Sequence, residues 1–224
     1  MVARILALGD AHFPYHHRRA LEWAYRLADK FKPTHVVQVG DLYDQFGFSR
    51  YPKVVKMDPE KELELARNAA EEMWSHFKGL CCYQLWGNHD DRALKRAVSA
   101  APELASLVGK SLRELYSFSG VTTMQSGREE LAIGKVLIHH GHRVKLGDHA
   151  KYNRSRTVVG HSHTGGVVFL PQKNDIIWEL NCGFLADVTS EAFGYHAQKK
   201  CHTTTLGVGT VDGDGPRFWP YIKS

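Results

Sequence analysis

The sequence lacks the long apolar segments of a membrane protein. No apolar run approaches the ~18 residues of a spanning helix, and the stretch from Val2 to Leu8 runs into Asp10 without a signal-peptide cleavage pattern. We therefore expect a soluble cytoplasmic protein with no membrane partner. Disorder is excluded because hydrophobic residues are 43% of the chain and charged residues 24%, values typical of globular proteins.

Cysteine is scarce, and its spacing excludes the usual cysteine-built sites. The four cysteines are the adjacent pair Cys81 and Cys82 and the single residues Cys182 and Cys201. This arrangement matches neither a disulfide framework nor paired C-x-x-C metal knuckles, so we expect reduced, mostly buried thiols. The sequence also lacks a Walker lysine motif, a G-x-G-x-x-G fingerprint and a G-x-S-x-G nucleophile elbow.

Histidine, by contrast, is in surplus. The 224 residues include 14 histidines, and no run of them resembles a purification tag. Lysine and arginine outnumber aspartate and glutamate by 29 to 24, which gives a formal net charge of +5. This excess favours anionic partners without identifying them.

The order of apolar patterns predicts an α/β fold. Short strands alternate with helical patterns in the first third of the chain, residues 93–120 suggest short helices, and the remainder is rich in strands. No repeat or low-complexity linker divides the chain, so we expect one domain over residues 1–224, with a lid-like insertion at about 43–80. The predicted helices are Arg18 to Phe31 and a helix from the Asp58 and Pro59 cap to His76; the predicted strands are Arg4 to Leu8, Val36 to Val39, Cys81 to Trp86, Lys135 to His139, Thr157 to Val159, Val167 to Leu170, Ile176 to Leu180, Thr204 to Val211 and Arg217 to Ile222.

Five short segments place ligand-type residues at the ends of predicted strands, where α/β sheets usually bind ligands. A glycine directly precedes the cluster in four of them and lets the backbone turn sharply. Where the backbone stays extended, Asp10 and His12 would point to the same side, as would His161 and His163. The segments are Gly9-Asp10-Ala11-His12, Gly40-Asp41-Leu42-Tyr43-Asp44, Gly87-Asn88-His89-Asp90, His139-His140-Gly141-His142 and Gly160-His161-Ser162-His163.

In their order, these segments resemble the signature of the calcineurin-like metallophosphoesterase superfamily: D-x-H, G-D-x-x-D, G-N-H-D/E, a strand ending in histidine, and G-H-x-H. The resemblance covers Asp10 to His163, about two thirds of the chain. It implies a four-layer αββα sandwich of two mixed sheets flanked by helices. It also implies hydrolysis of a phosphate ester at a site with two divalent metal ions.

The resemblance assigns the ligands residue by residue. The first ion would be held by Asp10, His12, His163 and Asp41, and Asp41 would bridge to a second ion held by Asn88, His140 and His161. The fourth block leaves an ambiguity, because His139 and His140 are adjacent and would face opposite sides of a strand. We choose His140 as the ligand and assign His139 to the core.

Two further residues receive roles from the same resemblance. His89 would lie over the substrate and act as general acid during in-line attack by hydroxide. Asp44 would orient that imidazole and keep it protonated, unless it only caps the following turn. His142 and Arg92 are candidate substrate contacts.

The ligand chemistry narrows the choice of metal and substrate. Carboxylate, amide oxygen and imidazole without cysteine suit Mn²⁺, Fe²⁺ or Zn²⁺, and Ni²⁺ is a further candidate. The resemblance to nucleases of the superfamily makes Mn²⁺ our first choice. Two divalent ions beside two carboxylates and the neutral Asn88 leave a positive site that favours phosphate.

The motif variants favour a phosphodiesterase, in particular a compact nuclease of bacterial or phage type. Gln45 stands where serine/threonine phosphatases of the superfamily usually carry arginine. Two basic segments, Tyr43 to Lys56 and Arg143 to Arg156, suit a nucleic acid. The first could instead be a packed lid or dimer contact, and the second a solvated face. The alternatives are a phosphomonoesterase, a small-nucleotide phosphodiesterase and, less favoured, a binding scaffold. Candidate contacts are Phe46, Phe48, Arg50 and Tyr51 in the first segment, Tyr43 to Lys56, and Arg143 in the second, Arg143 to Arg156.

Overall fold

The computed structural model describes residues 3–50, 56–125, 129–193 and 204–222. Its strands are β1 Ile5–Leu8, β2 His35–Gln38, β3 Cys81–Leu85, β4 Val121–Met124, β5 Leu131–Ile133, β6 Val136–Ile138, β7 Arg156–Val159, β8 Gly166–Pro171, β9 Ile176–Asn181, β10 Gly207–Asp212 and β11 Gly215–Pro220. Its α-helices are α1 Arg18–Phe31, α2 Pro59–His76, α3 Arg92–Ala100, α4 Ala105–Leu115 and α5 Asp148–Asn153. None of the helices in these ranges is both long and apolar enough to cross a membrane.

Helices α1 and α2 begin and end at the predicted residues because their caps are strong. The His17 imidazole caps α1 by accepting from the backbone N–H of Ala20, and Lys32 ends the helix in a left-handed conformation. The Asp58 carboxylate caps α2 by accepting from the N–H of Glu60, and Pro59 fits the first turn. Both helices pack against the first sheet through small and apolar side chains.

The strands form two mixed sheets. The first has the order β11-β10-β1-β2-β3-β4, in which β1 to β4 are parallel. The second has the order β5-β6-β7-β9-β8, in which β6, β7 and β9 are parallel. The hairpins predicted at Pro171 to Asp175 and Asp212 to Gly215 are confirmed as β8-β9 and β10-β11.

Side chains that point alternately to the two faces of β1 contact both neighbouring layers. Ile5 and Ala7 face the second sheet and join an apolar cluster with residues such as Val158 and Leu180. Leu6, on the other face, packs among the helices. Helix α5 lies against β7 and β9 on the outer face of the second sheet. The predicted four-layer αββα sandwich is therefore confirmed, and in the part of the chain that the structure describes its outermost layer is one short helix.

The domain boundaries and the lid-like insertion at about 43–80 stay predictions. Within that range, α2 is the crossover between the parallel strands β2 and β3, and its Ala66, Ala70 and Met73 are buried in the core. Among the described cysteines, Cys82 and Cys182 are buried free thiols, whereas Cys81 is exposed.

Candidate metal centre

The loops after β1, β2, β3, β6 and β7 meet at one edge of the sandwich, and each carries one of the five sequence blocks. Parallel strands present their carboxyl ends to the same side, which brings these loops together. Backbone hydrogen bonds connect them: the N–H of His12 donates to Asp41 O at 3.0 Å, and the N–H of Gly160 donates to His140 O at 3.1 Å. The blocks therefore form one continuous site across both sheets.

Four buried side chains form the first group of possible ligands: Asp10, His12, Asp41 and His163. One ligand atom from each lies within 4.8 Å of the others. The Nε2 atoms of His12 and His163 are 3.4 Å apart, and His12 Nε2 is 3.9 Å from Asp41 Oδ2. This is the set that the resemblance implied for the first ion.

A second group adjoins the first through Asp41. His140 Nε2 lies 3.4 Å from Asp41 Oδ2 and 3.1 Å from Asn88 Oδ1, and His161 Nδ1 lies 2.9 Å from the same Asn88 oxygen. His139 points elsewhere, with its Nε2 3.3 Å from Asn153 Nδ2. The structure thus brings His140 to Asp41 and leaves His139 outside the group.

The backbone is left-handed at five of the seven proposed ligands, so the extended conformation that same-side pairing of Asp10 with His12 and of His161 with His163 requires is not present. Asp10, His12 and Asp41 have φ between 45° and 52°, and His161 and His163 have φ of 68° and 58°. Non-glycine residues in such regions cost of order 1–3 kcal/mol each and cluster at functional sites. The side chains converge because the loops curl around the site.

The charges of the two groups are strongly coupled. Burial raises the pKa of Asp10 well above its usual range. Burial would also raise the pKa of Asp41, but the neighbouring imidazoles, His140 above all, outweigh it and hold that pKa well below its usual range. Although burial acts to lower it, the pKa of His140 is raised to about 10 by the Asp41 carboxylate. His140 must release this proton to act as a ligand, since imidazole binds metals in its neutral form.

The residues fit divalent metal ions. Asp10 Oδ1 is buried and, among the described residues, has no hydrogen-bond partner, with His140 Nδ1 at 3.7 Å; a cation would relieve this costly state. His12 and His163 direct ring nitrogens at each other, as imidazoles do around a shared cation. Carboxylate, amide and imidazole donors without thiolate suit borderline divalent ions.

Gly87 packs directly against Asp41, and this contact gives a first prediction. A Cβ at Gly87 would lie 2.1 Å from Asp41 Oδ1 and 2.4 Å from the Asp41 backbone nitrogen. We expect Gly87→Ala to displace Asp41, to weaken Mn²⁺ binding by about 10- to 100-fold and to lower the free energy of unfolding by about 1–3 kcal/mol. Calorimetric Mn²⁺ titration and urea unfolding measure the two effects.

Gly109→Ala in α4 is the matched control. The nearest atoms to its Cβ would be Arg113 Nη1 at 3.6 Å and Leu94 Cδ1 at 3.7 Å, which are ordinary contacts. Alanine favours the helix interior, so this variant should gain about 0.5–1 kcal/mol and keep its Mn²⁺ affinity. Unchanged Mn²⁺ affinity in Gly87→Ala would show that this contact does not position Asp41.

Asp44 connects two parts of the site. Its Oδ2 lies 3.2 Å from His89 Nδ1 and 2.9 Å from His12 Nδ1, and its Oδ1 accepts from Arg92 Nη1 at 2.8 Å. Burial would raise its pKa, but His89 and the hydrogen bonds from His12 and His89 outweigh burial and hold the pKa well below its usual range. The sequence suggested the His89 contact and missed the His12 contact, which directs His12 Nε2 towards the centre.

The comparisons with known proteins agree with this geometry. The profile of the calcineurin-like phosphoesterase family matches residues 3–199. The chain belongs to this family. It is therefore a phosphate-ester hydrolase, and its four-ligand cluster is a candidate site for the divalent metal ions that the family uses.

Three similar proteins share 15–25% of their residues with this phosphoesterase. The Gene 54 protein of Mycobacterium phage L5 is 25% identical over 211 residues, which cover 84% of this chain and 81% of the phage protein. A metallophosphoesterase from Sphaerobacter thermophilus aligns with a TM-score of 0.51 and 16% identity, over 99% of this chain and 89% of its own. The phosphoesterase Yfce from E. coli aligns with a TM-score of 0.44 and 15% identity, over 94% and 89%. The Sphaerobacter structure shares the fold.

Asp90 is the main residue of this phosphoesterase site to which sequence reasoning gave no role. Its buried carboxylate accepts from the backbone N–H groups of Leu42, Tyr43 and Gly87 and from the Tyr116 hydroxyl, at 3.4, 3.1, 2.8 and 2.6 Å. Burial, together with the Asp41 charge, raises its pKa to about 6. Its place in the Gly-Asn-His-Asp block was the available signal. Asp90 joins the loops that carry Asp41 and Asn88.

The aromatic residues predicted to contact substrate are mostly enclosed. Tyr43 and Phe46 are buried, so the expectation that their rings can stack on bases is wrong. Phe48 is half-buried against the helical core, and Arg50 is exposed. Tyr51 lies outside the described residues. Alternation of aromatic and basic residues could not distinguish packed rings from exposed rings.

The second predicted segment lies at the surface beside the site. His142 is exposed two residues after His140. Arg143 is half-buried, and its guanidinium carbon lies 5.0 Å from the centre of the Tyr152 ring. Sequence reasoning did not single out Tyr152, because one tyrosine among lysines and arginines carries no distinctive pattern.

Proposed function

We propose that this phosphoesterase is a two-metal phosphodiesterase that cleaves nucleic acid, with Mn²⁺ as its preferred ion and Fe²⁺, Zn²⁺ or Ni²⁺ as alternatives. The observation that carries the nucleic-acid assignment is the uncompensated positive charge on the segment that follows His142. Within the described residues, Arg143, Lys145, Lys151 and Arg154 have no carboxylate within 4.0 Å, whereas Arg156 pairs with Asp175. Such cations suit a chain of phosphates.

The proposed ligands divide between two ions that share Asp41. The set contains two carboxylates, and Asn88 is neutral, so a pair of divalent ions leaves a net positive site. When bound, the ions would polarise the phosphoryl oxygens and lower the pKa of bound water. Asp10, His12, Asp41 and His163 would hold one ion, and Asp41, Asn88, His140 and His161 the other.

His89 is the proposed general acid. Its Nε2 lies 4.0 Å from Asp41 Oδ2, at the edge of the ligand groups, and its Nδ1 faces Asp44. Arg92 Nη2 is 3.0 Å from the same Nε2, and arginine can only donate, so Nε2 accepts in this arrangement. Donating a proton to the leaving oxygen requires Arg92 to move away and Nε2 to take up a proton from solvent, while Nδ1 keeps its own proton towards Asp44. A substrate phosphate gives its guanidinium a charged, bidentate partner.

Gln45 favours a diester over a monoester. The Gln45 side chain is buried, donates to Asp90 O and the Tyr116 hydroxyl, and accepts from the N–H of Ala93. It therefore supports the loops and offers the substrate no cation at this position. Arg92, on the other hand, favours a phosphomonoesterase as second candidate: its Nη1 donates to Asp44, and a guanidinium turned towards the substrate can bind two terminal phosphate oxygens.

Substrate choice tests the proposal. The purified protein, loaded in turn with Mn²⁺, Fe²⁺, Zn²⁺ and Ni²⁺, is assayed on bis-p-nitrophenyl phosphate, p-nitrophenyl phosphate and labelled single- and double-stranded oligonucleotides of DNA and RNA. We expect hydrolysis of the diester and of oligonucleotides, with KM for the oligonucleotides rising with salt. Hydrolysis of the monoester alone would reject the proposal and favour the second candidate.

A further inference from the structure

Tyr152 combines high exposure with a fixed position. The residue is 74% exposed, and the Arg143 guanidinium carbon lies 5.0 Å from its ring centre. An arginine at this distance attracts the π-face and restrains both side chains. The other face of the ring remains open for a further flat group.

A buried carboxylate fixes the helix that carries Tyr152. Glu179 on β9 accepts from the N–H groups of Gly147, His149 and Ala150 at 2.9, 2.8 and 2.9 Å. A buried carboxylate is costly unless it is hydrogen-bonded, so these contacts hold α5 on the second sheet. Glu179 therefore fixes the start of the short helix α5 against strand β9.

His149 connects α5 to the metal centre. Its Nε2 accepts from the backbone N–H groups of His142 and Arg143, each at 3.1 Å. Because three residues span at most about 11 Å, Arg143 lies close to His140. A nucleotide strand seated at the centre would reach Arg143 and Tyr152 within a short length of chain.

We propose that Tyr152 stacks on an unpaired base of the nucleic acid whose phosphate occupies the metal centre, so that the preferred substrate is single-stranded. The proposal rests on the nuclease function proposed above. A base can lie on the open face of Tyr152 only when it is not stacked between its neighbouring bases. Arg143 and Lys151 would neutralise the adjacent phosphates. In a duplex the bases remain stacked on one another, so none of them can stack on the Tyr152 ring.

Tyr152→Ala, Tyr152→Phe and Phe169→Ala test the proposal. Phe169 is the control, since it is an exposed aromatic residue on β8, 55% exposed. Each Mn²⁺-loaded variant is assayed on bis-p-nitrophenyl phosphate, a single-stranded DNA oligonucleotide and the corresponding duplex. We expect Tyr152→Ala to raise KM for the single strand about tenfold or more and to leave kcat/KM for the small diester within about twofold. Tyr152→Phe and Phe169→Ala should behave like the unchanged protein.

A second measurement reports stacking itself. A 2-aminopurine base in the single strand should lose fluorescence on binding to the unchanged protein and keep it with Tyr152→Ala. An unchanged KM in Tyr152→Ala, or an equal rise for strand and duplex, would overturn the role of Tyr152 while the nuclease function stands. If the unchanged protein cleaves the small diester but no oligonucleotide, the nuclease function fails and the stacking role with it.

Discussion

Asp41→Asn should lower turnover by at least about 10³-fold, because two-metal catalysis supplies several kcal/mol and each 1.4 kcal/mol is tenfold in rate. Asp41 directs a single carboxylate oxygen at imidazoles of both ligand groups: its Oδ2 lies 3.9 Å from His12 Nε2 and 3.4 Å from His140 Nε2. Asparagine keeps the shape of the side chain and can still accept the N–H of His89, a bond of 2.8 Å in the unchanged protein. The change therefore removes charge with little change in packing.

Metal content distinguishes loss of the centre from loss of the fold. Elemental analysis of Asp41→Asn after Mn²⁺ loading should give fewer than two ions per chain, and Mn²⁺ should raise its Tm less than that of the unchanged protein. Asp214→Asn is the matched control, because Asp214 is an exposed carboxylate whose only described partner is Arg217. Two tightly bound ions in Asp41→Asn would show that Asp41 does not bridge them.

His89→Ala should lower turnover on oligonucleotides by about 10²- to 10⁴-fold, the usual contribution of a general acid. The effect should depend on the leaving group. An alkoxide needs a proton when it departs, whereas p-nitrophenolate does not, so bis-p-nitrophenyl phosphate should lose much less activity. Initial rates on both substrates measure the difference.

His89 is outside the four-ligand cluster, but with His12 and Asp44 it forms a second group whose ligand atoms lie within 4.8 Å of one another. Because the proposed ligand set does not use that second group, we expect metal binding to survive His89→Ala. His76→Ala serves as the control: His76 ends α2 and stacks on Tyr25, and its loss should change neither rate. Equal losses on both substrates would remove the proton-donor role from His89 and leave it a role in binding.

The elements predicted correctly from the sequence are those whose ends are determined by their own residues. Helices α1 and α2 have amphipathic spacing and clear caps, so their ends follow from local chemistry. Strand β4, Val121–Met124, was missed because two threonines separate its apolar residues. Helix α5, Asp148–Asn153, was missed because it has six residues and is anchored by Glu179, which lies about 30 positions later in the chain.

The sequence predicted that the proposed ligands would lie close together, and it did not predict their geometry. Five ordered motifs identified the residues, and the carboxyl ends of parallel strands brought them together. The left-handed φ of Asp10 and His12 could not be derived, because it depends on bonds between loops that are distant in sequence. For the same reason, the contact of Asp44 with His12 became visible only in the folded chain.

The four hydrogen bonds of Asp90 determine how readily the site can open. Loops usually separate from the core at small free-energy cost, and their amides then exchange quickly with solvent. Here the N–H groups of Leu42, Tyr43 and Gly87 converge on one buried carboxylate, so separating the two loops would remove some of the hydrogen bonds that compensate its burial. These amides should exchange on the timescale of global unfolding. We therefore expect side chains such as Arg92 to move when a substrate binds, while the backbone of these loops keeps its conformation throughout turnover.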